Sequence, residues 1–296
     1  MNKWFYRFFF EPLRSVMAGN KTVAVLFIIL GALLLYLPCL SYDFFAVDDW
    51  AYVQKNEFIR SFSWDHLRIF FTRSFVNLWL PVTMLSYSLD HTIWGTNAFG
   101  YHFTNLVLHL LNIFFVYHLF LRLKCPHSIA ILSSAIFAIH PVQIESVVWI
   151  SERKNVLSFF FFLLSCLHWL SWLQTRKGSS GVFTLFFFAL SVFSKPVFVF
   201  GPVLFAIAAA SFSDDGIFQT KKDIIKKHLE GKGLAILLGC AALGLTAICM
   251  TLYSHASGQS LTLPLSYTGR ERFLTALTLP WAYSKNLLFP FSLSIS

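Results

Sequence analysis

Charged residues are scarce in this sequence, and their scarcity excludes an ordinary water-soluble fold. Only 12% of the 296 residues are aspartate, glutamate, lysine or arginine, whereas 56% are hydrophobic and 35 are phenylalanine. In a soluble domain roughly a quarter of the residues are charged. A chain this poor in charge cannot cover itself with polar surface in water, so its composition indicates a membrane protein with several spans.

The sequence also lacks paired cysteines and the features of a cleavable leader. The five cysteines include no CxxC pair, and most lie in or beside apolar runs. We expect them to be small hydrophobic residues and not disulfide or zinc ligands. The first apolar run is too long for the core of a signal peptide and lacks a small-residue cleavage site, which favours an uncleaved signal anchor.

Apolar runs that approach the length needed to cross a bilayer, roughly 20 residues, recur along the chain. Two shorter runs flank Ser194-Lys195-Pro196, where proline interrupts a helix, so we expect either two short spans or one broken, re-entrant element. The predicted fold class is an all-α polytopic membrane protein with a bundle of about eight transmembrane or re-entrant helices. The candidate spans are 22–40, 99–121, 128–147, 156–173, 182–193, 197–212, 233–253 and 273–290.

Lysine and arginine predict the orientation of the bundle. Four basic segments fall on one side of it: the tail 1–21 and the loops 122–127, 174–181 and 213–232. The positive-inside rule makes that side cytoplasmic, together with the N-terminus. The net charge of +9 therefore reports topology and requires no nucleic-acid partner.

The sequence predicts one membrane domain over 1–296, in which a tail (1–21) and a long outer loop (41–98) precede a helix bundle (99–290). Within the outer loop, the stretch 58–71 mixes aromatic and charged residues. This pattern favours short helices that lie in the membrane interface with an apolar face down. An ordinary loop is the alternative.

The adjacent acids Asp48 and Asp49, just beyond the first span, are the first candidates for chemistry. Carboxylates in apolar surroundings are costly, so a functional site at the membrane surface is a natural explanation. Either one could act as a general base or bind a hard divalent cation such as Mg²⁺ or Mn²⁺. The alternative is a structural role as the N-cap of a helix that starts near Trp50.

A second candidate cluster starts at His140 and continues over the following outer turn. Pro141 is expected to break the helix there and to expose backbone groups that a cavity could use. His140 and Glu145 are rare at membrane depth unless they face a cavity, so both are candidates for binding substrate.

Further charged residues fall on the predicted outer side. Arg153 and Lys154 are candidates for holding a phosphate, and Glu152 precedes them directly. Lys195, at the helix break, and Arg270, before the last span, are candidates for an anionic headgroup or a diphosphate. Snorkelling of long cations to the interface is the alternative for these residues.

The second span carries a polar stripe of His102, Asn105, His109 and Asn112. This spacing places the side chains on one helical face, which must point into the bundle and not toward lipid. Hydrogen bonds between helices explain the last three residues, at about 0.6 kcal/mol for a typical pair. His102 is nearest the outer side and is also a candidate for lining a site.

Together, the outer acids, the outer cations and their apolar flank match the needs of sugar transfer from a polyprenyl-phosphate donor. An acid would accept the proton of the acceptor hydroxyl, and cations would stabilise the lipid phosphate that leaves. The predicted partners are the lipid bilayer, a lipid-linked sugar and a protein or glycan acceptor, with a divalent cation possible. A non-catalytic membrane anchor or a fragment of such an enzyme is the first alternative, and a transporter is the second.

Several strings resemble one known family. Leu80–Asp90 and Gly100–His109 look like the first-loop-to-second-span signature of bacterial membrane proteins with C-terminal tetratricopeptide repeats. His140–Trp149, continued by Glu152–Ser158, is close to the most recognisable segment of that family, and the break at Lys195 also matches. The family is similar to the transmembrane and tetratricopeptide-repeat-containing O-mannosyltransferases of the GT-C superfamily.

The resemblance implies a GT-C glycosyltransferase that uses a polyprenyl- or dolichyl-phosphate sugar. The acidic pair in the first outer loop is the family's presumed catalytic motif, and it corresponds to Asp48 and Asp49. The repeat domain of the relatives is expected to be absent from 1–296. The resemblance also predicts a bacterial inner membrane as the location.

Overall fold

The computed structural model describes residues 21–45, 48–76, 78–211 and 231–256, together with the single positions 278, 281, 285 and 287. The described residues are all-α and contain one isolated bridge, between Phe75 and Leu78, but no strand, which confirms the predicted class. The α-helices are α1 (Lys21–Tyr36), α2 (Trp64–Thr72), α3 (Pro81–Trp94), α4 (Ala98–Arg122), α5 (His127–Ile139), α6 (Gln143–Val148), α7 (Arg153–Thr175), α8 (Gly178–Ser194), α9 (Gly201–Ser211) and α10 (Lys232–Ala256).

Four helical segments among the described residues are long and apolar enough to cross a membrane: Val23–Ser41, Ala98–Arg122, Ile150–Thr175 and Lys232–Tyr253. Helices α5, α8 and α9 are apolar but shorter. These segments make the chain an integral membrane protein. The total of about eight helices stays a prediction, since most of 273–290 lies outside the described residues.

The predicted span 128–147 is wrong as a single helix. Helix α5 ends at Ile139, His140 takes an extended conformation (φ −63°, ψ 129°), and α6 begins only at Gln143. Proline disfavours the helical conformation of the residue before it, so Pro141 forces the chain out of the helix at His140. The predicted break is therefore confirmed, and it divides this region into two shorter helices.

Helix α7 is the centre of the bundle and packs against α4 and α8. Aromatic rings fill its contact with the segment that follows α8: Phe162 and Phe198 stack with centroids 4.3 Å apart. A Cβ at Gly201 would lie 2.5 Å from the Phe188 ring, so only glycine fits at the start of α9 without rearrangement. Close ring packing of this kind holds α7, α8 and α9 together.

The polar stripe of α4 points into the bundle, as predicted. His102, Asn105, His109 and Asn112 are all fully buried. The Asn105 side chain donates to the Trp149 carbonyl (3.1 Å), and the Asn112 side chain donates to the Val156 carbonyl (2.9 Å). These hydrogen bonds attach α4 to the turn before α7 and to the first turn of α7 itself.

The first outer loop folds into a layer over one end of the bundle. The Ser63 side chain accepts a hydrogen bond from the His66 N–H and so starts α2, as N-cap serines do. One buried cluster joins the layer to the beginning of α4 and to the turn before α7; its members include Tyr52, Ile59, Phe70, Met84, Tyr87, Tyr101 and Ile150. Trp64 is 87% exposed, and its insertion in the membrane interface stays a prediction.

Candidate functional site

The turn between α6 and α7 meets the first outer loop at the capped end of the bundle. Helix α6 ends where Trp149 takes an extended conformation, and a short 3₁₀ turn, Ile150–Glu152, leads into α7 at Arg153. This geometry presents the Ser151 N–H and the Lys154 side chain to the loop. We call Asp48, Asp49, Glu152, Lys154 and Lys195 the outer cluster.

Asp49 joins the loop to this turn. The side chain is fully buried, and its two oxygens accept hydrogen bonds from the Ser151 N–H (2.8 Å) and the Phe45 N–H (2.9 Å). Burial raises the pKa of the Asp49 carboxyl above its usual value, while the hydrogen bonds from Phe45 and Ser151 oppose the rise. The N-cap alternative is wrong for Asp49, since its carboxylate makes no capping bond to the helical turn that follows.

Asp48 has different surroundings. It is half-buried, and within the described residues its carboxylate forms no hydrogen bond or ion pair. Burial raises the pKa of the Tyr52 hydroxyl, and the charges of Asp48 and Glu152 add to that rise. Both carboxylates therefore lie near Tyr52, and Asp48 is the acid of the pair that remains available to a ligand.

Two lysines converge on Glu152. The Lys154 ammonium lies 2.5 Å from Glu152 Oε1, donates to the Ser151 carbonyl (3.1 Å), and sits 5.3 Å from the centre of the Tyr52 ring. The Lys195 ammonium lies 3.7 Å from Glu152 Oε2 and donates to Asn155 Oδ1 at 2.6 Å. Residues far apart in the chain thus place two cations beside one carboxylate.

The helix break at residue 195 positions Lys195. Ser158 Oγ donates to the Lys195 carbonyl (3.1 Å), and Thr83 Oγ1 donates to the Ser194 carbonyl (2.9 Å), so α7 and α3 both hold the end of α8. Burial lowers the pKa of the Lys195 ammonium, whereas the neighbouring Glu152 charge raises it. Glu145 is exposed, and its charge also acts on Lys195.

Arg153 lies beneath the cluster and is committed to other contacts. Its guanidinium is fully buried and pairs with Asp90 (2.5 Å). It also donates to Asn105 Oδ1 (2.8 Å) and to the Tyr101 carbonyl (2.8 Å). These contacts occupy the guanidinium on every side, so they favour a structural role for Arg153 over direct contact with a phosphate.

The remaining predicted residues lie elsewhere. His140 Nδ1 accepts from the Val142 N–H (3.2 Å), which leaves Nε2 to donate to the Leu287 carbonyl (2.9 Å). His102 is fully buried, edge-on to Tyr42. A cleft of about 380 Å³ near it is lined by residues of 40–43 and 96–99 but not by His102. Arg270 lies outside the described residues.

Metal binding is not evident in the described part of the chain. No group of three or more histidine, cysteine, aspartate or glutamate side chains there has an arrangement suited to a metal ion.

Sequence reasoning missed three residues that complete this region. Tyr52 covers Lys154, Asn155 binds Lys195, and Asp90 neutralises Arg153. Asn155 follows directly after the Glu-Arg-Lys string, and Asp90 stands in an otherwise uncharged stretch of α3. The local sequence could therefore have indicated both as candidate site residues. It gave no such indication for Tyr52, because one tyrosine among many aromatic residues does not stand out.

Comparison with known proteins finds partial similarity to one group of enzymes. The chain is 32% identical over 161 residues to protein O-mannosyl-transferase TMTC2 of Mus musculus, over 50% of this chain and 18% of that protein. It is 30% identical over 141 residues to protein O-mannosyl-transferase F38B6.6 of Caenorhabditis elegans, over 43% of this chain and 20% of that protein. The matched region thus spans a fifth or less of these relatives' length.

Protein-family models and solved structures add nothing to this comparison. No family model matches the chain, and no solved structure matches it. The similarity is therefore to one part of proteins that are named protein O-mannosyl-transferases.

Proposed function

We propose that this chain is the catalytic membrane part of a GT-C-type glycosyltransferase. It would move a sugar from a polyprenyl-phosphate-linked donor to a protein or glycan hydroxyl on the extracytoplasmic face of the membrane. The names of the relatives suggest mannose as the sugar and a protein as the acceptor. The observation that carries the proposal is the convergence of three acids (Asp48, Asp49 and Glu152) and two lysines (Lys154 and Lys195) from separate segments at one end of the bundle.

Asp48 is the proposed general base. An accepting carboxylate must be ionised and within hydrogen-bond reach of the attacking hydroxyl. Asp48 is half-buried, and no described residue occupies its oxygens, so a hydroxyl can reach them. The hydroxyl oxygen forms the new bond to the anomeric carbon while its proton passes to Asp48, and the bond from that carbon to the lipid phosphate breaks.

Asp49 is the proposed positioning residue for this base. Its hydrogen bonds to the Ser151 N–H and the Phe45 N–H fix the loop against the start of α7. Because Asp48 is the preceding residue, the same bonds set its position relative to the lysines. The adjacent acids thereby have separate tasks.

Lys154 and Lys195 are the proposed ligands of the donor phosphate. In the structure both ammonium groups contact Glu152, which holds two cations close together without phosphate. Phosphate oxygens form short, strong hydrogen bonds with ammonium groups, so they can take over part of the contacts that Glu152 makes. The leaving phosphate would gain charge during transfer, and the lysines would stabilise it.

Replacement of Asp48 by asparagine tests the proposal directly. Asp48→Asn keeps the shape of the side chain but removes the base, and we expect sugar transfer to fall about 100-fold or more, as general bases typically contribute 10²–10⁴. The assay follows transfer of labelled mannose from polyprenyl-phosphate mannose to membrane protein in vesicles that contain the full chain.

Asp65→Asn is the matched control, because Asp65 is an exposed acid of α2 in the same loop. We expect this variant to transfer sugar at the wild-type rate. Equal rates for Asp48→Asn and wild type would overturn the assignment of the base. If the wild-type chain itself transfers nothing although it is inserted in the membrane, the result favours the alternative of a non-catalytic anchor or a fragment of such an enzyme.

A further inference from the structure

A second cavity lies between α4 and α7, far from the outer cluster. Its volume is about 280 Å³, and it is lined by Phe115, His118, Arg122, Leu167, His168 and Ser171. His168 is four helical turns beyond Arg153 on α7, which at 1.5 Å per residue corresponds to roughly 22 Å along the helix axis. The cavity and the outer cluster therefore occupy opposite ends of α7.

The polar wall of this cavity is cationic and contains no acid. Arg122 is exposed and forms no ion pair or hydrogen bond from its side chain within the described residues. His118 uses Nδ1 to contact the Phe114 carbonyl of its own helix (3.0 Å), so its Nε2 points away from that bond. The Arg122 guanidinium, two imidazoles and the Ser171 hydroxyl thus line one small space, and no carboxylate in its lining neutralises the guanidinium.

The other wall of the cavity is apolar and continues onto the helix surface. Phe115 and Leu167 line the cavity itself. Leu111, Phe114 and Phe183 nearby are exposed apolar side chains on the outside of the bundle. A ligand that fits this arrangement carries an anionic group and an apolar chain on the same molecule.

We propose that this cavity binds the phosphate of an anionic phospholipid. The arginine fork matches phosphate oxygens in two parallel hydrogen bonds, which a lone lysine cannot reproduce. Basic pockets between membrane helices at the cytoplasmic side are typical sites for anionic headgroups, and the positive-inside rule predicts that side for this end of α4. The Phe115 and Leu167 side chains then contact the start of an acyl chain. Free inorganic phosphate shares the headgroup chemistry but cannot use these apolar contacts.

Native mass spectrometry of the full chain in detergent can test this site. The wild-type chain is titrated separately with phosphatidylglycerol, phosphatidylcholine and inorganic phosphate. We expect it to bind phosphatidylglycerol more tightly than the other two. Arg122→Gln is expected to weaken phosphatidylglycerol binding about tenfold or more, the factor that one charge-assisted hydrogen bond contributes. Arg122→Lys keeps the charge but loses the planar guanidinium. Its affinity for phosphatidylglycerol is expected to lie between those of the wild type and Arg122→Gln.

Arg68→Gln is the matched control, because it removes the same charge from an exposed position on α2 at the other end of the bundle. It should bind phosphatidylglycerol as the wild type does. If inorganic phosphate binds as tightly as phosphatidylglycerol and is lost in Arg122→Gln, the site takes a free anion and the lipid assignment fails. Equal phosphatidylglycerol binding by wild type and Arg122→Gln overturns the site altogether.

Discussion

Asp48 and Asp49 are neighbours in the chain with opposite surroundings. Asp49 is buried and holds two backbone N–H groups, whereas Asp48 is half-buried and holds none among the described residues. A buried carboxylate with both oxygens engaged suits a structural task, and a carboxylate with open oxygens suits proton transfer. The difference between these two residues is therefore the main residue-scale argument for the proposed reaction.

The buried carboxyl of Asp49 predicts a pH dependence of stability. Burial raises the pKa of Asp49 above 3.8, so the folded chain keeps this proton more tightly than the unfolded chain does. The free energy of unfolding should then fall as the pH rises above about 3.8, and the change should end once the pH exceeds the folded pKa. Asp49→Asn cannot titrate and should lose this part of the slope.

Thermal unfolding in detergent between about pH 3.5 and about pH 7 measures this difference. Asp65→Asn removes an exposed acid of the same loop and should keep the wild-type slope. If the thermal stability of wild type and of Asp49→Asn changes with pH in the same way, the prediction is wrong.

At the scale of helices, one ion pair joins three elements. Arg153 at the start of α7 pairs with Asp90 of α3 and donates to Asn105 of α4. The Asp90 carboxylate also accepts from Thr104 of α4 (2.8 Å). This buried network fixes the position of the first turn of α7, which carries Lys154. A change in the network should therefore move the outer cluster.

Removal of one partner of the Arg153–Asp90 pair should lower the free energy of unfolding more than removal of both partners does. Arg153→Met leaves the buried Asp90 charge uncompensated, at a cost of about 3–5 kcal/mol. Adding Asp90→Leu removes that charge, so the double variant should be more stable than Arg153→Met alone.

A double-mutant cycle of thermal unfolding in detergent tests this expectation. Arg60→Met is a suitable control because Arg60 is exposed, and its one side-chain hydrogen bond to a described residue is long (3.5 Å, to the Gln54 carbonyl). If the effects of Arg153→Met and Asp90→Leu on the free energy of unfolding simply add in the double variant, Arg153 and Asp90 are not coupled.

At the scale of the whole molecule, the bundle has two chemically different ends. The folded loop and the outer cluster lie at the end where α4 and α7 begin, and the basic loop 122–127 lies at the end where α4 stops. Since α4 is long enough to cross a bilayer, these ends are expected on opposite sides of the membrane.

Labelling of introduced thiols tests the sidedness. Trp64 is 87% exposed in α2, so Trp64→Cys should react with a membrane-impermeant maleimide in intact cells. The native Cys125, in the loop after α4, should react only after the membrane is opened. Comparison with the unchanged chain and with Cys125→Ser assigns each signal. Labelling of both thiols in intact cells would contradict the predicted orientation.

The sequence by itself determined the class of the protein, the burial of the polar stripe and the helix breaks at Pro141 and Pro196. These features depend on local physical effects: the cost of polar groups in lipid and the restriction that proline places on its own backbone. The tertiary structure alone decided which acid of the pair is buried and that Arg153 is paired within the protein. Those outcomes depend on contacts between residues distant in the chain, such as Asp49 with Ser151, which no local pattern encodes.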